Sequence, residues 1–281
     1  MYYRLGLIGH PVKQSLSPWI HSEFLKRSQL KGQYQLIDVH PDESLAHVLQ
    51  QFEHEGYCGF NITVPYKEKI LSYLDEVDEH ARKVGAVNTV VRRKGKWIGY
   101  NTDGLGYVRA LESSYPTFFK ETKKNVLLIG AGGAARGIYA SLLTKPLLRI
   151  DIANRTLKHA ESIKMLNDTM IQTDILSLEH AKEIGSIYDL IIQTTDVGMK
   201  PNEHEMIVSF PALRKDQIIS DIVYQPIMTA FLRHAKSKGA KIHCGHSMLL
   251  YQAQEAFKIW TNQWVPLEHM EQKLTKILEG R

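Results

Sequence analysis

The chain has 281 residues, 43% hydrophobic and 23% charged, an ordinary balance for a folded protein with a sizeable core. That composition argues against whole-chain disorder, and 19 glycines without a triplet period and only two cysteines argue against collagen-like and disulfide-framework architectures. The net charge of +5, with no basic stripe, favours neither a nucleic-acid partner nor a polybasic membrane anchor.

The length predicts about two domains. Residues 3–9 predict a first buried strand, too short and too soon interrupted for a signal peptide. A helix is expected over 18–30, with Ser17-Pro18 as a cap and first-turn pair. A strand over 33–39, a helix over 43–54 and a strand over 58–63 follow. Helices are expected over Pro65–Leu74 and 77–84, then a hairpin of 87–92 with 96–100 around Lys94-Gly95. These elements make a mixed α/β domain over 1–103.

A helix over 104–114 leads into a second domain, 104–240. There strands 126–129, 147–153, 189–194 and 218–223 alternate with helices 134–143, 157–166 and 227–238. This alternation predicts a Rossmann-like parallel sheet with covering helices. Two further helices, 246–260 and 266–279, alternate with no strand. They are expected to return, as a block over 241–281, to the first domain. No apolar run approaches the length of a membrane span. Cys58 and Cys244 stand far apart, and unpaired thiols in a reducing cytoplasm are the simpler expectation. No His/Cys cluster has zinc-like spacing, so no metal is expected.

The sharpest signal is Gly130-Ala131-Gly132-Gly133-Ala134, set between a strand and a helix. Glycine allows a tight turn and lets the backbone approach a pyrophosphate, and the helix N-terminus offers N–H groups to it. Ala135 stands where a third Gly would complete the dinucleotide fingerprint, and it is still small. No G-K-S/T follows, which argues against a nucleoside-triphosphate loop. The next strand ends at Asn154-Arg155-Thr156, where an NAD site would carry a carboxylate for the ribose hydroxyl. A guanidinium attracts a 2′-phosphate instead, so NADP is the expected cofactor, with Lys158 or His159 as added partners. Asp151 is the exception to watch, since a shifted register would bring it to the strand end.

In the first domain, Ser15 and Ser17 can hold a carboxylate or cap the helix behind them. Asn61, Thr63 and Lys67 lie where a strand meets a helix. Asn88 and Asp103 adjoin other strand ends. Lys67 beside an alcohol could relay its proton, with Asp103 orienting the lysine. The carboxylate would favour the ammonium and desolvation the neutral amine, and the sequence does not decide between them.

Taken in order, Ser15–Pro18, Asn61–Lys67, Gly85–Val90, Asn101–Gly104, Gly130–Ala134, Asn154–Thr156, Asp221–Pro226, Met248–Gln252 and Phe257–Thr261 resemble the shikimate dehydrogenase family over nearly the whole chain. The resemblance implies a two-domain enzyme with substrate in the cleft. The expected reaction is reversible NADP-dependent reduction of 3-dehydroshikimate to shikimate, a step toward aromatic amino acids. It implies carboxylate binding by Ser15 and Ser17 and a catalytic Lys67/Asp103 pair. Ring hydroxyls would be bound by Asn88, Asp103 and Gln252, with support from Asn61, Thr63 and Tyr224. Thr194, Thr195, Met199, Ile222, Gly245 and Met248 would lie on the nicotinamide side or line the cleft. Four positions depart from the family pattern: Gln14, Ser22, Gln193 and His159, the last weakening the preference for NADP. The competing expectations are an NAD-using quinate/shikimate dehydrogenase and a non-catalytic NADP-binding regulator. Either a monomer or a homodimer fits the composition.

Overall fold

The computed structural model describes residues 1–121 and 123–280. The chain forms two compact units: Met1–Asp103 with Gln252–Pro266, and Gly104–Tyr251 with the stretch from Leu267 on. The C-terminal block is thus divided. The sequence expectation returned all of 241–281 to the first domain, but the final helix belongs with the second unit.

The first unit comprises β1 (Tyr2–Gly9), α1 (Ser17–Arg27), β2 (Lys31–Asp38), α2 (Leu45–Glu55), β3 (Gly59–Ile62), β4 (Glu76–Val77), α3 (Glu79–Val84), β5 (Thr89–Arg93) and β6 (Lys96–Tyr100). Its sheet runs β2-β1-β3-β5-β6-β4. The β1 pairings with β2 and β3 are parallel, whereas β5 pairs antiparallel with both β3 and β6. Side chains alternate between two cores: Ile8, Phe60, Ile62 and Val90 join one, and Leu5, Leu7, Tyr34 and Val91 the other. This is the period-2 alternation of a sheet covered on both faces.

The second unit takes up α4 (Asp103–Ser114) after its first residue. It continues with β7 (Lys124–Ile129), α5 (Gly133–Leu142), β8 (Leu147–Ala153), α6 (Leu157–Lys164), β9 (Ile175–Leu176), α7 (Leu178–Ile184) and β10 (Leu190–Gln193). Then come β11 (Ile218–Asp221), α8 (Ala230–Ser237), β12 (Lys241–Cys244), α9 (Gly245–Thr261) and α10 (Met270–Glu279). The sheet order β12-β11-β10-β7-β8-β9 is parallel throughout. Strand order reverses at β7, so the glycine loop leaves the sheet at its switch point, where α/β sheets bind ligands.

The local differences from the sequence expectations have identifiable causes. The helix expected over Pro65–Leu74 shrinks to a 3-10 turn at Lys69–Tyr73. Pro65 has no N–H to donate, a Thr63–Tyr66 turn closes instead (3.0 Å), and the Tyr66 hydroxyl is drawn to the Val39 carbonyl (2.7 Å). The last helix starts at Met270 rather than 266. The short elements β4, β9, α7 and β12 carry too little periodicity to stand out. In β12, His243 is buried between the hydroxyls of Ser220 (2.9 Å) and Ser247 (3.2 Å), an apolar position filled by a satisfied polar side chain.

Gly104 in α4 lies against α5, where an added Cβ would come 1.9 Å from the Gly137 carbonyl oxygen. Backbone cannot swing aside as a side chain can. Gly104→Ala is expected to cost about 2–3 kcal/mol, the scale of overpacking, read as a lower urea midpoint at unchanged m-value.

Candidate active site

Lys67 lies in the turn after β3. It is held in place because Tyr66 beside it is buried and the Val87 N–H donates to the Lys67 carbonyl (2.8 Å). Its Nζ donates to Asp103 Oδ2 at 2.7 Å, with the lysine side chain 24% and the aspartate 9% exposed. The second carboxylate oxygen, Oδ1, accepts from Asn88 Nδ2 (2.8 Å), and the Asp103 N–H donates to Asn101 Oδ1 (3.1 Å). The pair expected from sequence therefore meets at contact distance from residues 36 positions apart.

Asn88 is the hub. Its Oδ1 accepts from the Thr102 N–H (2.8 Å) and from the Thr89 hydroxyl (3.0 Å). Asn61 donates to the Asn88 carbonyl (3.0 Å) and to Thr89 Oγ1 (3.0 Å), and accepts from the Tyr34 hydroxyl (2.8 Å). Thr89 stands out in the sequence only as a polar neighbour of Asn88 at a strand start, and no sequence pattern marks Thr102 or Tyr34 as part of the site. An aromatic in a strand pattern looks like core until its hydroxyl is seen to point at an amide.

Ser17 is not the helix cap. The cap position is Leu16, with no side-chain bond, and Ser17 opens the first turn ahead of Pro18. Its hydroxyl is left to interact with Ser15 Oγ (3.1 Å), so the two serines stand as a hydroxyl pair. Thr63 lies half-buried just past β3, and Gln252 half-buried in the part of α9 that belongs to this unit. Tyr224 belongs to the second unit.

Beneath these groups the His21 ring is fully buried, stacked on Tyr34 (4.4 Å between centroids, 11° between planes). Burial lowers its pKa to about 3, an interaction with Asn61 offsetting only part of that effect.

In the second unit the glycine loop has the conformation that its composition suggests. Gly130 has φ +111°, and a Cβ there would meet Thr194 Oγ1 at 2.5 Å. Gly132 and Gly133 face open space, and α5 begins at Gly133 with Gly132 at its N-cap and no side-chain cap. Its first N–H groups are thus left for an anion. Asn154 Nδ2 donates to the Thr156 carbonyl (2.8 Å), which shapes the turn. Arg155, Thr156, Lys158 and His159 are exposed beyond it. Asp151 is removed from contention as a ribose ligand. It lies two residues before the strand end, fully buried, and accepts from Tyr188 (2.7 Å), Arg149 (3.1 Å) and the Asp174 N–H (2.8 Å). The loop, the uncapped helix and the exposed Arg155 fit a dinucleotide with a 2′-phosphate.

The remaining positions differ in environment. Thr194 is buried, its hydroxyl on the Ile129 carbonyl (2.7 Å), whereas Thr195 is half-buried. Gln193, a departure from the family pattern, bridges Asp221 (3.1 Å) and the Val197 carbonyl (3.1 Å) and accepts from the Thr195 N–H. Met199 is 47% exposed, while Met248 is packed in a core with Tyr107 and Ile138. Gly245 approaches the Ile222 carbonyl, leaving no room for a Cβ. Among the described residues no group of His, Cys, Asp and Glu could hold a metal ion. No described helix is long and apolar enough to cross a membrane.

Comparison with known proteins adds to this geometry. Over its full length the chain is 50% identical to the shikimate dehydrogenase (NADP(+)) of Oceanobacillus iheyensis, covering 100% of both chains. The chain belongs to the shikimate dehydrogenase family. Three family models agree along the sequence. They are the shikimate dehydrogenase substrate binding domain over residues 7–90, shikimate / quinate 5-dehydrogenase over 115–224, and the shikimate 5′-dehydrogenase C-terminal domain over 245–275. The shikimate dehydrogenase (NADP(+)) of Geobacillus kaustophilus is 43% identical, covering 97% of this chain and 98% of its own. Among solved structures, the shikimate 5-dehydrogenase of Thermus thermophilus in complex with NADP(H) and shikimate matches with a TM-score of 0.85. It is 33% identical, with 98% of this chain and 99% of that chain covered.

The environments of Gly132 and His21 in this family member each lead to a measurable outcome. Gly132 has φ −90° and open space around it. Gly132→Ala is therefore expected to leave the melting temperature nearly unchanged yet weaken NADP binding by about tenfold or more (roughly the loss of one close backbone contact), measured by calorimetry. For His21, the folded pKa of about 3 lies below the ordinary 6.5, so the unfolded state binds the extra proton between those values. Its contribution to stability is present above pH 6.5 and is lost as pH falls toward 3. His21→Phe should show a smaller loss of unfolding free energy between about pH 7 and pH 4.5 than the wild type, by urea titration.

Proposed function

We propose that this chain catalyses the reversible NADP-dependent reduction of 3-dehydroshikimate to shikimate, on the path to aromatic amino acids, with Lys67 and Asp103 as its catalytic pair. The observation that carries the assignment of roles is the 2.7 Å Lys67–Asp103 contact inside a buried amide and hydroxyl network. Ser15 and Ser17 bind the substrate carboxylate. Asn88, Asp103 and Gln252 bind ring hydroxyls, with support from Asn61, Thr63 and Tyr224. Gly130–Ala134 hold the pyrophosphate, and Asn154, Arg155, Thr156 and Lys158 the ribose phosphate. Thr194, Thr195, Met199, Ile222, Gly245 and Met248 adjoin the nicotinamide.

NADPH, when bound, supplies the hydride. A ketone that accepts hydride must also gain a proton on oxygen. Lys67 Nζ commits one N–H to Asp103 and keeps others to donate to that oxygen. Asp103 is held at both oxygens, so it orients the lysine while retaining lone pairs for an alcohol O–H. The same groups in reverse take the proton when shikimate is oxidised. Arg155 favours NADP over NAD by pairing with the 2′-phosphate. The free thiols of Cys58 and Cys244 support a reducing, cytoplasmic setting.

The test is a steady-state assay by nicotinamide absorbance, with shikimate and quinate crossed against NADP and NAD. Shikimate with NADP is expected to give the highest kcat/KM. Lys67→Ala should lower kcat by about a hundred- to ten-thousand-fold, the range of general acid–base catalysis, with the NADP dissociation constant unchanged. Wild-type turnover in that variant contradicts the proposed role.

A further inference from the structure

The hydrogen bonds of the first unit form one directed chain. The Asn88 carbonyl can only accept, and it takes the Asn61 Nδ2 donor (3.0 Å). The Asn61 amide therefore cannot be flipped, and its Oδ1 faces the Tyr34 hydroxyl, which must donate (2.8 Å). The same Nδ2 donates to Thr89 Oγ1 (3.0 Å), so the Thr89 proton goes on to Asn88 Oδ1 (3.0 Å). With its oxygen so occupied, Asn88 presents Nδ2 to Asp103 Oδ1 (2.8 Å). The chain begins at the Tyr34 hydroxyl, whose only proton is committed to Asn61. Every donor along the chain points toward the Asp103 carboxylate. Tyr34, Asn61, Asn88 and Thr89 are all buried, so an unmade link has no water to replace it.

We infer that Tyr34 is a positioning residue. Its hydroxyl supplies the donor to Asn61 Oδ1, and through Asn61 it steadies the Asn88 carbonyl and the Thr89 hydroxyl that stand behind the Asn88–Asp103 contact. This inference rests on the proposed substrate site. The phenol touches neither Lys67 nor Asp103 directly, and it acts through Asn61. Its ring is clamped by the stack on His21 (4.4 Å) and by Trp260 (6.2 Å between centroids), which fixes where the hydroxyl points. Losing that hydroxyl leaves Asn61 Oδ1 buried without its donor. The Asn88 carbonyl still takes Nδ2, so the amide shifts rather than flips, and the displacement passes to that carbonyl and to Thr89, whose hydroxyl donates to Asn88 Oδ1.

The experiment compares Tyr34→Phe, which removes only the hydroxyl, with Phe24→Leu. The second variant loosens the same aromatic cluster (Phe24 packs on His21 at 5.7 Å) without breaking a side-chain hydrogen bond. Two readouts are taken on the full chain. In the free protein, ¹⁵N spectra of side-chain amides should show the Asn88 signal shifted in Tyr34→Phe and unmoved in Phe24→Leu. With shikimate, Tyr34→Phe should raise the dissociation constant and KM about tenfold, the worth of a buried hydrogen bond, with kcat changed less than about threefold. Phe24→Leu should leave KM within about twofold, whatever its effect on melting. An unmoved Asn88 signal in Tyr34→Phe, or equal effects of the two variants on KM, overturns the inference. Failure of the wild type to bind shikimate overturns the proposed substrate instead, and the spectra still decide whether Tyr34 orients the chain.

Discussion

The structure of the first unit depends on satisfying one buried side chain, the amide of Asn88. It is only 3% exposed, yet its oxygen and nitrogen must both be paired where water is absent. The fold meets this demand by bringing three strand ends together. The end of β3 supplies Asn61, the start of β5 supplies Thr89, and the segment leading from β6 into α4 supplies Thr102 and Asp103. Once Asn88 is oriented, Asp103 has one oxygen engaged and the other available to Lys67. Site geometry thus follows from hydrogen-bond satisfaction of a core amide, and the lysine is the last group placed rather than the first.

The second unit solves a different problem with backbone. An all-parallel sheet buried on both faces has few polar groups to spare, so ligand contacts must come from the loops at strand ends. Gly130 makes its turn at a φ few side chains adopt, against Thr194, while Gly132 and Gly133 leave the helix start bare. Asp151, a carboxylate that at the strand end would have opposed a 2′-phosphate, is sealed by Tyr188 and Arg149 inside the sheet. Recognition on this side comes from what is left uncovered, and on the substrate side from what is tightly paired.

Much of this is legible in the sequence, for reasons that differ by residue. The βαβ alternation and glycine loop are local patterns, and they locate the parallel sheet and its switch point. Lys67 and Asp103 are legible as chemistry and as an expected pair, but the geometry of their contact is not, because it spans 36 residues and depends on a turn. Local propensity favours a helix at that turn, and the buried Tyr66 and the missing N–H of Pro65 override it. The hydroxyl of Tyr34 and the amide hub at Asn88 are hidden for a related reason. Their roles arise from pairing across strands, and period-2 burial looks the same whether a tyrosine ends in a core or on an amide oxygen. The division of the C-terminal helices between the two units likewise rests on tertiary packing of Met270, Leu274 and Leu278, which helical periodicity alone does not assign to a partner.

The most direct test of the account is a crystal structure of this chain with shikimate bound. The account predicts a ring hydroxyl in hydrogen-bond contact with both Lys67 Nζ and the Asp103 carboxylate, and the ligand carboxylate on the hydroxyls of Ser15 and Ser17. A ligand bound with Lys67 and Asp103 paired only to each other, and no ring oxygen within reach of either, would contradict it.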